Sequence, residues 1–156
     1  MRASQATAFR VLTVDATNTG RSAAGERLLR KHLHERGVEA DAIRITSAGL
    51  NAEDGAAMQP AVAAQIERHG ANPHGFVARS LSEAIVEATD FFLCGTPIER
   101  DELLKRYPRA RGRSFTFAEA QALYEDVMHA VPLHQHAAML ERRRVTGAYP
   151  EDWDLP

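Results

Sequence analysis

Apolar positions along the chain fall into short unbroken runs, separated by longer stretches in which they recur at helical spacing. Phe9-Arg10-Val11-Leu12-Thr13-Val14 has the make-up of a buried strand, and Ala42–Thr46, Asp90–Cys94 and Arg113–Phe117 follow it. The stretches between and after them, Ala23–Arg36, Pro60–His69, Ser82–Ala88, Pro97–Arg106, Ala118–Met128 and Pro132–Arg144, have the pattern of amphipathic helices. Ser82 suits an N-cap, with Glu83 in the first turn behind it, and Pro97 suits the opening position of its helix. Strands that alternate with helices predict an α/β fold: a four-stranded parallel sheet with helices on both faces and right-handed crossovers. The loop after the first strand then lies at the carboxyl edge of the sheet, where such folds bind ligands. No repeat, low-complexity segment or linker interrupts the pattern, so residues 1–156 are expected to form a single domain.

That loop is Asp15-Ala16-Thr17-Asn18-Thr19-Gly20-Arg21-Ser22. A strand, a short polar turn with glycine, and a helix make an anion cradle, because the helix start offers unpaired N–H groups and a partial positive charge. Arg21 adds a planar fork of donors. Residues 16–22 are therefore the candidate ligand-binding segment, with Asp15 and Arg21 as candidate catalytic residues.

Composition narrows what such a cradle serves. Nineteen basic against 21 acidic residues give a formal charge of -2, too weak a balance for general affinity to nucleic acid or an anionic membrane. No apolar run approaches the ~18–20 residues of a membrane span, and residues 1–8 lack the apolar core of a signal peptide. The lone cysteine, Cys94, forms no internal disulfide and suits a reducing compartment, so the expected location is the cytoplasm.

Four segments, spread over roughly residues 9–106, carry a resemblance. The loop aligns with the pattern V-C-x-G-N-x-C-R-S through Asn18, Arg21 and Ser22. Ser47-Ala48-Gly49 and the turn Gly55-Ala56-Ala57-Met58-Gln59-Pro60 follow, resembling S-A-G and G-x-P-M-x-P. Ala78-Arg79-Ser80-Leu81 resembles A-R-x-L, and Asp90–Cys94 is the buried strand that comes after it. In this order the segments resemble the low-molecular-weight protein tyrosine phosphatases. The resemblance implies their Rossmann-like three-layer fold, a phosphate-binding loop, and a phosphate-like anion or phosphorylated protein as partner, with no cofactor and no metal.

The loop departs from the family at the position of its chemistry. Asp15 stands where the family has its nucleophilic cysteine, Thr17 where it has glycine, and Gly20 where it has a second cysteine. A thiol in such a cradle is held as thiolate and attacks phosphorus. A carboxylate is a weaker nucleophile, and it brings a negative charge into a pocket meant for a dianion. Two unit like charges ~4 Å apart at an effective dielectric of ~20 repel by about 4 kcal/mol. The family's general acid lies in a D-[ILV]-P-D-P segment. Asp154-Leu155-Pro156 matches the first half of that pattern, and a shifted alignment offers Glu151, Asp152 or Asp154 as the acid.

Two readings follow. The first is a family member without thiol-based phosphatase activity, a pseudophosphatase that binds a partner or ligand through the altered pocket. The second is an active or repurposed enzyme that uses Asp15. Asp15-Ala16-Thr17-Asn18-Thr19 also resembles the D-x-[DT]-x-T of haloacid-dehalogenase-type phosphatases, which hydrolyse phosphomonoesters through an aspartyl phosphate with Mg²⁺. That chemistry calls for acidic ligands at neighbouring strand ends, whereas Phe92-Leu93-Cys94-Gly95-Thr96 has none and Asp90 opens its strand.

The other reactive residues have plainer roles. Cys94 reads as a buried small hydrophobe. His32 and His34, like His134 and His136, fall two apart on helices, where side chains diverge, so with His129 they make no zinc site. Tyr149 and Trp153 read as residues that pack the tail or cover the pocket mouth, Glu141–Arg144 as a solvated helix end, and Arg79 as either a brace for the loop or an exposed arginine.

Overall fold

The computed structural model describes residues 8–124 together with Gln135, Ala137, Ala138 and Glu141. Four parallel strands form one sheet: β1 (Phe9–Asp15), β2 (Ile43–Gly49), β3 (Phe91–Cys94) and β4 (Ser114–Thr116), in the order β2-β1-β3-β4. The helices are α1 (Arg21–Glu35), α2 (Pro60–Arg68), α3 (Glu83–Glu87), α4 (Pro97–Arg106) and α5 (Phe117–Tyr124), with a 3₁₀ turn at Pro108–Ala110.

Side chains of β1 and β3 alternate between two apolar layers, as the period of a strand requires. Val11, Ile45, Phe91, Leu93 and Phe115 point to one face, against Leu29 and Leu33 of α1 and Phe117 and Ala120 of α5. Leu12, Val14, Phe92 and Cys94 point to the other, against Val86 of α3 and Leu103 of α4. A third cluster, Ala23, Met58, Ile66 and Ala71, joins α1 to α2. Helices thus cover both faces, as the strand–helix alternation predicts. Among the described residues no helix is long and apolar enough to cross a membrane.

Several boundaries differ from the sequence reading, and three of them have a visible physical cause. β2 continues through Ser47-Ala48-Gly49, because these residues pair with Thr13, Val14 and Asp15 of the buried central strand. Small residues of low strand propensity are held there by their partners. α1 begins at Arg21 rather than Ala23, so the last loop residues are already helical. Phe117 opens α5 instead of ending β4: the Glu119 N–H donates to Thr116 Oγ1 and the Thr116 N–H to Glu119 Oε1, both at 3.0 Å, a reciprocal capping box. The continuation of α5 towards Met128 and most of the helix expected over Pro132–Arg144 lie outside the described residues, although Ala137 packs against the first apolar layer.

Strand order reverses between β1, whose chain goes on to β2, and β3 on its other side. In open parallel sheets the crevice at such a switch point is the ligand position. The loop after β1 and the start of α4 both open onto it.

Candidate functional site

Residues 15–22 wrap the start of α1 at the carboxyl end of β1. Asp15 is 6% exposed, and its carboxylate turns inward. Oδ1 accepts from the Asn18 N–H at 2.6 Å and the Ser22 hydroxyl at 2.8 Å, and Oδ2 accepts from the Ser22 N–H at 3.1 Å. These donors form the base of the cradle, and the charge they hold is the protein's own.

Asn18 keys the loop into the body. Its φ of 58° is left-handed, a region asparagine tolerates better than most residues. It is fully buried; Nδ2 donates to Ser22 Oγ at 2.9 Å and Oδ1 accepts the Arg79 N–H at 2.9 Å. The Arg79 side chain, on an exposed residue, donates from Nε to the Ser47 carbonyl at 2.8 Å, so Arg79 braces both the loop and β2. Thr13 Oγ1 donates to the Ser22 carbonyl at 2.6 Å.

Gly49 lets the loop lie this close. A Cβ there would stand 2.8 Å from the Ala16 carbonyl and 2.8 Å from the Asn18 N. Beside it the Leu50 and Asn51 N–H groups donate to the Asp15 and Ala16 carbonyls at 2.9 and 2.7 Å.

The outer rim is less occupied. The Thr17 and Thr19 hydroxyls share a hydrogen bond of 2.8 Å, and Gln59 reaches Thr19 through its backbone N–H and its side chain at 3.0 and 3.3 Å. Among the described residues the N–H groups of Thr17, Thr19, Gly20 and Arg21 take no partner from the protein. Arg21 is exposed, and its guanidinium forms no ion pair with Asp15. The direct Asp15–Arg21 closure that opposite charges in one loop invite is not formed; the backbone and Ser22 donors hold the carboxylate instead.

Glu99, which the sequence reading passed over, also faces the loop. Burial pushes its carboxyl up from the ordinary range, the Thr96 hydroxyl pulls it down, and nearby Asp15 pushes it up again. The Ala16 N–H and Arg21 act in the downward direction, and the net shift is upward. The visible signal is Thr96-Pro97-Ile98-Glu99, a helix-opening motif placed after the strand next to β1. Gln59 was equally unmarked, although it lies in the turn that resembles G-x-P-M-x-P.

Cys94 is fully buried within the second apolar layer. The Asp90 carboxylate accepts the Arg10 N–H at 2.8 Å, at the far end of β3 from the loop. His129, His134, His136, Tyr149, Glu151, Asp152, Trp153 and Asp154 lie outside the described residues.

No curated protein matches the sequence. Solved structures match it in fold. A YwlE mutant from Bacillus subtilis superposes with a TM-score of 0.67 at 17% identity, over 90% of this chain and 99% of that one. A low molecular weight protein tyrosine phosphatase from T. tengcongensis gives 0.66 at 20% identity, over 90% and 99%. Vibrio vulnificus Wzb, solved in complex with benzylphosphonate, gives 0.65 at 20% identity, over 86% and 90%. A family model described as low molecular weight phosphotyrosine protein phosphatase matches residues 10–125. With that match over most of the chain, and with the sheet order and loop described above, the protein belongs to the low molecular weight phosphotyrosine protein phosphatase family.

Proposed function

We propose that this family member lacks thiol-based phosphatase activity and acts as a cytoplasmic binding protein, a pseudophosphatase whose altered loop meets a phosphate-like anion or a phosphorylated protein. One observation carries the reading: at the position that resembles the family's nucleophile, the Asp15 carboxylate accepts the Asn18 N–H, the Ser22 N–H and the Ser22 hydroxyl. Both oxygens are held by donors of the loop itself, so a carboxylate, the weaker nucleophile, stands where the family's thiolate would be. A charge fixed there lowers the affinity for dianions, while Arg21 and the N–H groups of Thr17, Thr19, Gly20 and Arg21, unpartnered among the described residues, still favour an anion. Binding that is weak and tuned by the partner's other contacts is the outcome.

The test is turnover of an aryl phosphate near about pH 6, close to neutrality where carboxylates are ionised. Wild-type protein is expected to release no phenol above a blank, with or without Mg²⁺. Turnover that disappears in Asp15→Asn overturns the reading, and Mg²⁺ dependence of that turnover assigns the chemistry to an aspartyl phosphate.

A further inference from the structure

Glu99 has a local duty that does not explain where its carboxyl lies. It is the third residue of α4, behind the N-cap Thr96, whose Oγ accepts the Glu99 N–H at 3.2 Å. In a capping box the glutamate turns back to the backbone N–H of the cap residue. Here Oε1 instead accepts the Thr96 hydroxyl at 3.0 Å, and it lies above Gly95, 2.8 Å from where a Cβ would stand. The Arg21 Cδ lies 3.3 Å from the same point. The glutamate head and the arginine stem therefore cross the same glycine, side by side, at the mouth of the loop. The charged groups that act on Glu99 are Asp15 from β1 and Arg21 from the start of α1, and the Ala16 N–H acts on it as well. An incoming dianion meets two carboxyl groups and one guanidinium.

We propose that Glu99 is a specificity-determining residue of the loop: with Asp15 it turns away fully ionised oxyanions, and an oxyanion that does bind is accompanied by a proton taken up at Glu99. The site then prefers anions offered in mildly acidic surroundings, or acid groups that bring their own proton to the outer face. The upward displacement of the Glu99 carboxyl by burial and by Asp15 is in the same direction. This inference rests on the loop being an oxyanion site, as the proposed function has it, and the variants below separate the two.

Sulfate is the probe, because it stays a dianion across the range and any pH dependence belongs to the protein. Calorimetric titrations are run as a pH series from about 4.5, near the ordinary glutamate value, to about 8, on full-length wild type, Asp15→Ala, Glu99→Gln and the double variant. The amide of Glu99→Gln keeps an acceptor for the Thr96 hydroxyl, so the start of α4 is preserved, and a thermal melt confirms that each variant is folded. In Asp15→Ala, sulfate affinity is expected to fall about tenfold from the lower to the higher pH, the size of a one-unit difference in protonation. In the double variant it is expected to be flat and, at the higher pH, about tenfold tighter than in Asp15→Ala. A double variant that keeps the slope of Asp15→Ala, or gains no affinity at the higher pH, overturns the role of Glu99. If Asp15→Ala binds no better than wild type while Glu99→Gln does, the role of Asp15 fails and that of Glu99 stands. Sulfate binding absent from all four proteins overturns both.

Discussion

Asn18 does more to shape the loop than the residues that would meet a ligand. Its left-handed backbone and its two side-chain hydrogen bonds, to Ser22 Oγ and from the Arg79 N–H, tie the loop to α1 and to the segment before α3. Asn18→Ala leaves buried groups unpaired and puts a Cβ-bearing residue without a polar side chain at positive φ. Urea unfolding is expected to show a loss of about 2–3 kcal/mol. Asn18→Gly, which relieves the backbone, should recover part of that loss. The sequence already marked Asp15, Asn18, Arg21 and Ser22, because an anion loop between strand and helix leaves a compact local pattern. It did not mark Glu99, since a glutamate three residues after a threonine is the ordinary start of a helix. Only the β1–β3 adjacency turns that carboxyl towards the loop, and adjacency is a long-range fact.

The meeting of β2 with the loop after β1 depends on a missing side chain. Gly49 pairs with Asp15, and any Cβ at Gly49 presses on the backbone of Ala16 and Asn18, which has no rotamer to escape into. Gly49→Ala is therefore expected to cost about 1–3 kcal/mol, the range for overpacking a closed site, measured as a lowered urea midpoint with an unchanged slope. It should also weaken oxyanion binding, since the Asn18 and Asp15 positions move together. Among the described residues the elements were read correctly in kind and order because apolar runs and helical spacing are local. The errors fell where pairing overrides propensity, as at Ser47-Ala48-Gly49, and where a capping box claims a residue that looks like strand, as at Phe117.

Charge at the sheet's carboxyl edge reaches the stability of the molecule. The Glu99 carboxyl is pushed up on folding, first by burial, so the folded protein holds that proton more tightly than the unfolded chain. Its contribution is complete below the ordinary glutamate range and is lost as pH rises through the raised value. Glu35 runs the other way: the Lys31 hydrogen bond holds it down, and its contribution is lost as pH falls. Comparing Glu99→Gln with wild type cancels that background. Denaturation from acid to neutral pH should show the stability of the variant relative to wild type increasing as pH rises; a difference that shrinks instead contradicts the assignment. In the function proposed above, Glu99 and Asp15 together govern what the loop accepts, with Asp15 as the inner charge. That is the claim on which the functional reading depends. Its most direct test is the affinity for vanadate at neutral pH, by calorimetry, in wild type and Asp15→Ala. Removal of the inner charge is expected to tighten binding about tenfold to a thousandfold, after screening and relaxation discount the ~4 kcal/mol repulsion. Arg21→Ala in that background should abolish the gain, because the guanidinium supplies the paired contact. Equal affinity in wild type and Asp15→Ala would contradict the account, for Asp15 would then impose no charge on the cradle.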